Sequence, residues 1–131
     1  MWSKVVLLFC CFTFTNSIFI STLFWTLDRF KDKIIFGIEF PSFHSFAGAA
    51  TIVLAPIILV GNFLALTFYS WGYSWLGDGS RVWPVQMALW GTGPLAFVLV
   101  SYFWRHEVPH KGAIIGMFFY LIGAIISKVY K

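Results

Sequence analysis

Four apolar runs, separated by short polar or glycine-rich segments, set the pattern of this chain. A helix needs roughly 20 predominantly apolar residues to cross the hydrocarbon core of a bilayer. Residues 5–27 contain no charged side chain and end at the cluster Asp28, Arg29, Lys31, Asp32, Lys33. Residues 46–69 are also uncharged, with Asn62 as their only strongly polar member. The third run, about 87–104, and the fourth, about 112–129, are shorter. Only Arg105-His106-Glu107-Val108-Pro109-His110-Lys111 separates them, a link tight enough to force an antiparallel helical hairpin. The expected fold is an all-α integral membrane protein. Four transmembrane helices form an antiparallel bundle in a single membrane domain over residues 1–131.

Two segments do not fit a span. Residues 34–45 are aromatic-rich and broken at Pro41, which predicts an interfacial or re-entrant piece before the second helix. Residues 70–84 hold Gly72, Gly77, Asp78, Gly79 and Pro84, turn chemistry that predicts a loop. Tryptophan placement agrees with these bounds. Trp2 and Trp25 bracket the first run, Trp71 and Trp75 follow the second, and Trp83 and Trp104 flank the third. Indole rings favour the headgroup level, where the ring stays apolar and the N–H meets water. Trp90 falls mid-run and is the exception. Lys4 before an apolar stretch has the outline of a signal peptide. The stretch is long for that role and no small-residue cleavage site follows, so it is expected to remain as a span.

Composition sharpens this picture. Hydrophobic residues make up 60% of the 131 positions and charged residues 11%. A water-soluble domain carries about 25% charged residues to cover its surface. Lipid must therefore take that place, and the bilayer is the first expected partner. The net charge of +4 is spread singly or in short clusters beside apolar runs. That suits anionic headgroups and argues against nucleic acid. With four spans, Lys4, Arg81, Lys128 and Lys131 lie on one side of the membrane; Arg29, Lys31, Lys33, Arg105 and Lys111 lie on the other. The positive-inside rule needs an imbalance to set orientation. This near balance leaves two readings open: dual insertion with antiparallel dimers, or an orientation set by a partner or by finer charge placement. The expected location is the plasma (inner) membrane.

Candidate chemistry is sparse. Cys10 and Cys11 are neighbours, so a disulfide between them is not expected. His106-Glu107-Val108-Pro109-His110 matches the letters of a zinc-hydrolase helix motif, in which two histidines share one helical face. Pro109 opposes that helix, and only His44 or Glu39 could supply a third ligand. A solvated loop is the expectation. No metal, cofactor or catalytic constellation is assigned, and the chain is expected not to be an enzyme. The substrate-pathway candidates are Asn16 and Asn62, whose amides need partners in hydrocarbon, Trp90, and the surface pair Glu39 and His44. Asn62 could equally join helices, and Glu39 with His44 could anchor the chain at the interface. Gly91, Gly93 and Pro94 form a candidate hinge, because proline removes one intrahelical hydrogen bond. Gly112, Gly116 and Gly123 would let another backbone approach the fourth helix, within the monomer or across a dimer.

The stretch from about residue 87 to 127 resembles the drug/metabolite transporter superfamily, especially its small four-helix branch that includes the small multidrug resistance proteins. Glu107, Gly116 and Gly123 have the family's spacing of a turn acid and two glycines. Ala88-Leu89-Trp90-Gly91-Thr92-Gly93 is similar to its Trp-then-Gly-x-Gly segment, one residue shorter. The resemblance implies dimerisation through Gly116 and Gly123. One departure matters: the exporters' membrane-embedded Glu in the first helix has no counterpart here, where Asn16 is the most polar mid-run residue. A non-titrating amide does not couple to protons, so the lipid-carrier flippase-like relatives fit better than cation exporters. The expected function is movement of a small molecule or lipid-linked substrate by a dimer, since four helices alone are too thin to enclose a path. The rival is a non-catalytic accessory subunit of a larger membrane complex.

Overall fold

A computed structural model describes residues 2–76 and 82–129. It contains four helices and one small hairpin: α1 (Trp2–Phe30), β1 (Ile34–Ile35), β2 (Ile38–Glu39), α2 (Phe43–Trp75), α3 (Trp83–Arg105) and α4 (Lys111–Val129). Three helical segments, Ser3–Phe30, Phe43–Trp75 and Val85–Arg105, are long and apolar enough to cross a membrane. In α4, the part Lys111–Gly123 forms a shorter apolar helix.

The segment predicted as interfacial or re-entrant takes two forms. Its first half is an antiparallel hairpin in which Ile34 faces Glu39 and Ile35 faces Ile38. The two-residue turn places Phe36 and Gly37 at φ 49° and 80°, the left-handed backbone that tight hairpins require. Ile35 is buried against Phe46 and Ala50, which fastens the hairpin to the start of α2. Its last three residues belong to α2 itself, which begins one residue after the cap Ser42. There the Ser42 hydroxyl accepts from the Ser45 N–H and the Ser45 hydroxyl accepts from the Ser42 N–H, both at 3.2 Å. This reciprocal pairing satisfies donors that the first helical turn leaves open.

The loop expected from residue 70 begins later, because α2 continues to Trp75. The reason is Gly72. A Cβ at that position would stand 2.8 Å from Val85 Cγ1 and 3.1 Å from Leu8 Cδ2. The glycine serves close helix approach and not a turn. Gly77, Asp78, Gly79 and Arg81 lie outside the described residues. Pro56 lies inside α2 and Pro94 inside α3, and neither ends its helix.

α1 is the centre of the packing. It lies against α2 on one side and α3 on the other, while α4 lies against α3 alone among the described residues. The helices thus form a row in the order α2, α1, α3, α4, with α2 also touching α3 where Gly72 meets Val85. Leu8 and Phe12 of α1 pack with Val85 and Ala88 of α3. At the far ends of the same two helices, Arg105 Nη2 meets Asp28 Oδ1 at 2.6 Å and the Trp104 indole N–H donates to Asp28 Oδ2 at 2.7 Å. The Arg105 guanidinium also lies over the Phe24 ring, which meets Phe97 edge-on. Large apolar side chains remain exposed on every helix, among them Ile52, Leu66, Phe103 and Phe119.

Candidate functional site

Between its two ends, the α1–α3 seam carries side-chain hydrogen bonds from helix to helix at one level among the described residues. There Asn16 Nδ2 donates to the Leu89 carbonyl at 3.1 Å and to Thr92 Oγ1 at 3.0 Å. Thr92 Oγ1 in turn donates to the Leu89 carbonyl at 2.8 Å. Thr92 is fully buried, so this small network fixes the register of the two helices. The Asn16 amide nitrogen thus serves two adjacent acceptors, and its Oδ1 is left as an acceptor.

Because α1 and α4 do not touch among the described residues, a cavity of about 520 Å³ opens between them, with α3 as its floor. Asn16, Leu89, Trp90, Gly93 and Tyr120 line it. A Cβ on Gly93 would meet nothing within 4 Å, so this glycine widens the opening. Pro94 has no N–H to offer the carbonyl four residues back, that of Trp90. The floor therefore presents a carbonyl without its usual helical donor beside an indole ring. Tyr120 and Pro94 also border a second cleft, of about 580 Å³, that follows the α3–α4 seam. This cleft ends at Glu107 and His110 and has Ser101 in its wall. The two spaces adjoin at Tyr120 and together run from mid-helix to the α3–α4 link. Their polar side chains near mid-helix are an amide, an indole and a phenol, with no charge. Such a surface can orient a neutral or weakly polar group by hydrogen bonding and ring contact.

Of the residues predicted from sequence, Asn16, Trp90 and Gly93 thus converge on one space, with Pro94 at its edge. The others lie apart. Asn62 is exposed on α2 and has no side-chain partner among the described residues. Glu39 and His44 are exposed beside the hairpin, where His44 lies against the Phe43 ring at 5.7 Å. Among the described residues the ion pair is that of Arg105 with Asp28, so Glu39 and His44 do not form one. Gly91 is buried within α3. A Cβ at Gly112 would approach only the His110 ring, at 3.5 Å, and Gly116 and Gly123 meet no atom within 4 Å.

The stretch His106 to His110 lies between helices, with His106 left-handed at φ 56°. His110 Nδ1 accepts the Ala113 N–H at 3.0 Å, so the ring caps α4. Among the described residues no group of three His, Cys, Asp or Glu could hold a metal ion. Cys10 and Cys11 are free thiols.

Sequence reasoning overlooked Thr92 and Tyr120. Thr92 stands inside the Gly91-Thr92-Gly93 step, and Tyr120 is one turn beyond Gly116 and carries a polar tip inside an apolar helix. Comparison of the chain with known protein families, with curated proteins and with solved structures finds no match.

Proposed function

We propose that this chain is a small multi-pass protein of the plasma (inner) membrane that passes a small molecule or lipid-linked substrate along the space between α1, α3 and α4. Its helices would cross the bilayer in alternating directions as an antiparallel bundle. The observation that carries the reading is the convergence of Asn16, Trp90, Gly93 and Tyr120 on one cavity. The uncharged mid-helix lining favours a neutral or lipid-linked substrate over a proton-coupled cation. A homodimer would enclose the pathway, since among the described residues α4 is covered by α3 alone and a Cβ added at Gly116 or Gly123 would meet nothing within 4 Å. Close packing at small residues is how membrane helices associate.

The test is reconstitution of the purified chain into liposomes with fluorescent lipid-linked and small-molecule probes. Movement dependent on the chain, reduced at least several-fold by Trp90→Ala or Asn16→Ala, is the expected result. A second reading, an accessory subunit of a larger membrane complex, is favoured by Asn62, an exposed amide on α2 without a side-chain partner among the described residues. Purification in fixed stoichiometry with larger membrane subunits, together with no movement in liposomes, would replace the transport reading by that one.

A further inference from the structure

A second groove lies on the other side of α1, between α1, α2 and the hairpin, with a volume of about 620 Å³. Its α1 wall comes from Ile18, Ser21 and Trp25, spaced three and four apart and so on one helical face. Leu54 and Ile57 face them from α2. The walls are apolar and aromatic, and the polar groups among them are small hydroxyls. Two hydroxyls already have acceptors, since Ser17 donates to the Thr13 carbonyl and Thr22 to the Phe19 carbonyl.

Two features mark the rim of this groove. The first is Phe36, which lines the groove yet is 82% exposed. It stands in the left-handed region at φ 49°, where a bulky side chain is a genuine outlier. Such conformations cluster at ligand clamps. Glycine or asparagine would fill this turn position without strain, so the turn alone does not call for phenylalanine. The second is Arg29. Its guanidinium lies 4.1 Å above the ring of Trp25, a wall residue of the groove. The nearby Asp28 is held by Arg105, and Arg29 makes no ion pair among the described residues. Lys31 and Lys33 lie within one turn of it in sequence, against the acids Asp32 and, across the hairpin, Glu39. Arg29 thus lies over the Trp25 ring and donates to the Trp25 carbonyl at 3.2 Å, with no salt bridge to a carboxylate among the described residues.

We infer that this groove binds one anionic phospholipid, with an acyl chain between α1 and α2, the headgroup phosphate on Arg29, and Phe36 closing over the chain. The groove is too apolar for a water-soluble phosphate to use, and the Arg29 cation at its mouth selects an anionic head over a zwitterionic one. This inference rests on the membrane-spanning reading but not on transport.

The full chain is reconstituted in phosphatidylcholine bilayers holding a small, fixed fraction of brominated phosphatidylglycerol or of brominated phosphatidylcholine, and tryptophan emission is read. Trp25 and Trp104 both line the groove. The brominated anionic lipid should quench at least twofold more than the zwitterionic one. That excess should vanish in Arg29→Gln. It should fall by half or more in Phe36→Gly, which removes the ring and keeps the turn conformation. It should persist in Lys111→Gln and in the presence of soluble glycerol phosphate. Equal quenching by the two lipids, an excess untouched by both rim variants, or competition by glycerol phosphate would overturn the lipid site while leaving the chain in the membrane. Absence of quenching by either lipid would remove the membrane-spanning reading itself.

Discussion

The tightest glycine contact among the described residues yields the sharpest prediction. Gly72 of α2 sits where Leu8 of α1 and Val85 of α3 meet, and both neighbours are fully buried. In Gly72→Ala the new methyl would stand 2.8 Å from Val85 Cγ1, closer than real carbon atoms tolerate. The valine cannot swing away, because its Cγ1 is two bonds from the backbone and its rotamers are few. Forcing an extra methyl into such packing costs about 1–3 kcal/mol. The same substitution gains up to about 1 kcal/mol of helix propensity. Gly48→Ala supplies the control: it lies in the same helix, and its added methyl would meet nothing within 4 Å. It carries the propensity gain without the clash. The two variants should therefore differ by about 1–3 kcal/mol, with Gly72→Ala the less stable. Unfolding in mild detergent, followed by the helical circular dichroism signal, measures the difference. Val85→Ala added to Gly72→Ala should recover most of the loss. If Gly72→Ala proves as stable as Gly48→Ala, α2 does not approach α3 as described here.

Three further outcomes follow from named contacts. A double-mutant cycle of Asn16→Ala with Thr92→Val should give a coupling of about 0.6 kcal/mol and at most about 1.7, the range of interhelical hydrogen bonds in membranes; zero coupling in the same unfolding assay would separate the two side chains. Asp28→Asn should loosen the ends of α1 and α3, seen as a shift of Trp104 emission against Trp104→Phe. An unchanged emission would mean that the Asp28–Trp104 contact is not kept. His110→Ala should cost about 0.5–1 kcal/mol through loss of the cap on α4, and His110→Asn should restore it; helical content of α4 by amide hydrogen exchange reads this directly.

Much of this architecture was readable from the chain, for specific physical reasons. A run of 20 or so residues without a charge has few explanations other than a long apolar helix, so α1, α2 and α3 stand out. Asn16, Trp90 and Gly93 stand out for the same reason, being polar, amphipathic or side-chain-free in runs that are otherwise aliphatic and aromatic. The rest was hidden by ambiguities that only packing resolves. Glycine serves both turns and close approach, and nothing local to Gly72 says which; the answer lies in Leu8 and Val85, far away in sequence. Strands of two residues are too short to show alternation, so the hairpin at 34–39 left no periodic trace. The start of α2 did leave one, in Ser42 and Ser45 at capping spacing after Pro41. Thr92 came into view only once α1 was set against α3, and Tyr120 only once α4 stood apart from α1.

The lengths of the helices in that row carry a last consequence. With 33 residues, α2 is about 50 Å long, against about 28 Å for the 19 residues of α4. Hydrocarbon about 30 Å thick matches the shorter rod and not the longer, and even a tilt of about 40° leaves α2 some 8 Å in excess. At its C-terminal end Trp71 stacks on Trp75, and the Lys4 ammonium lies 5.6 Å above the Trp75 ring. An overhang there would be seated in headgroups by two indoles and a cation, and its height would change with bilayer thickness. The 29 residues of α1 make a rod of about 44 Å, so hydrophobic mismatch would act on the α1–α2 pair together and leave the shorter α4 matched as the membrane thins.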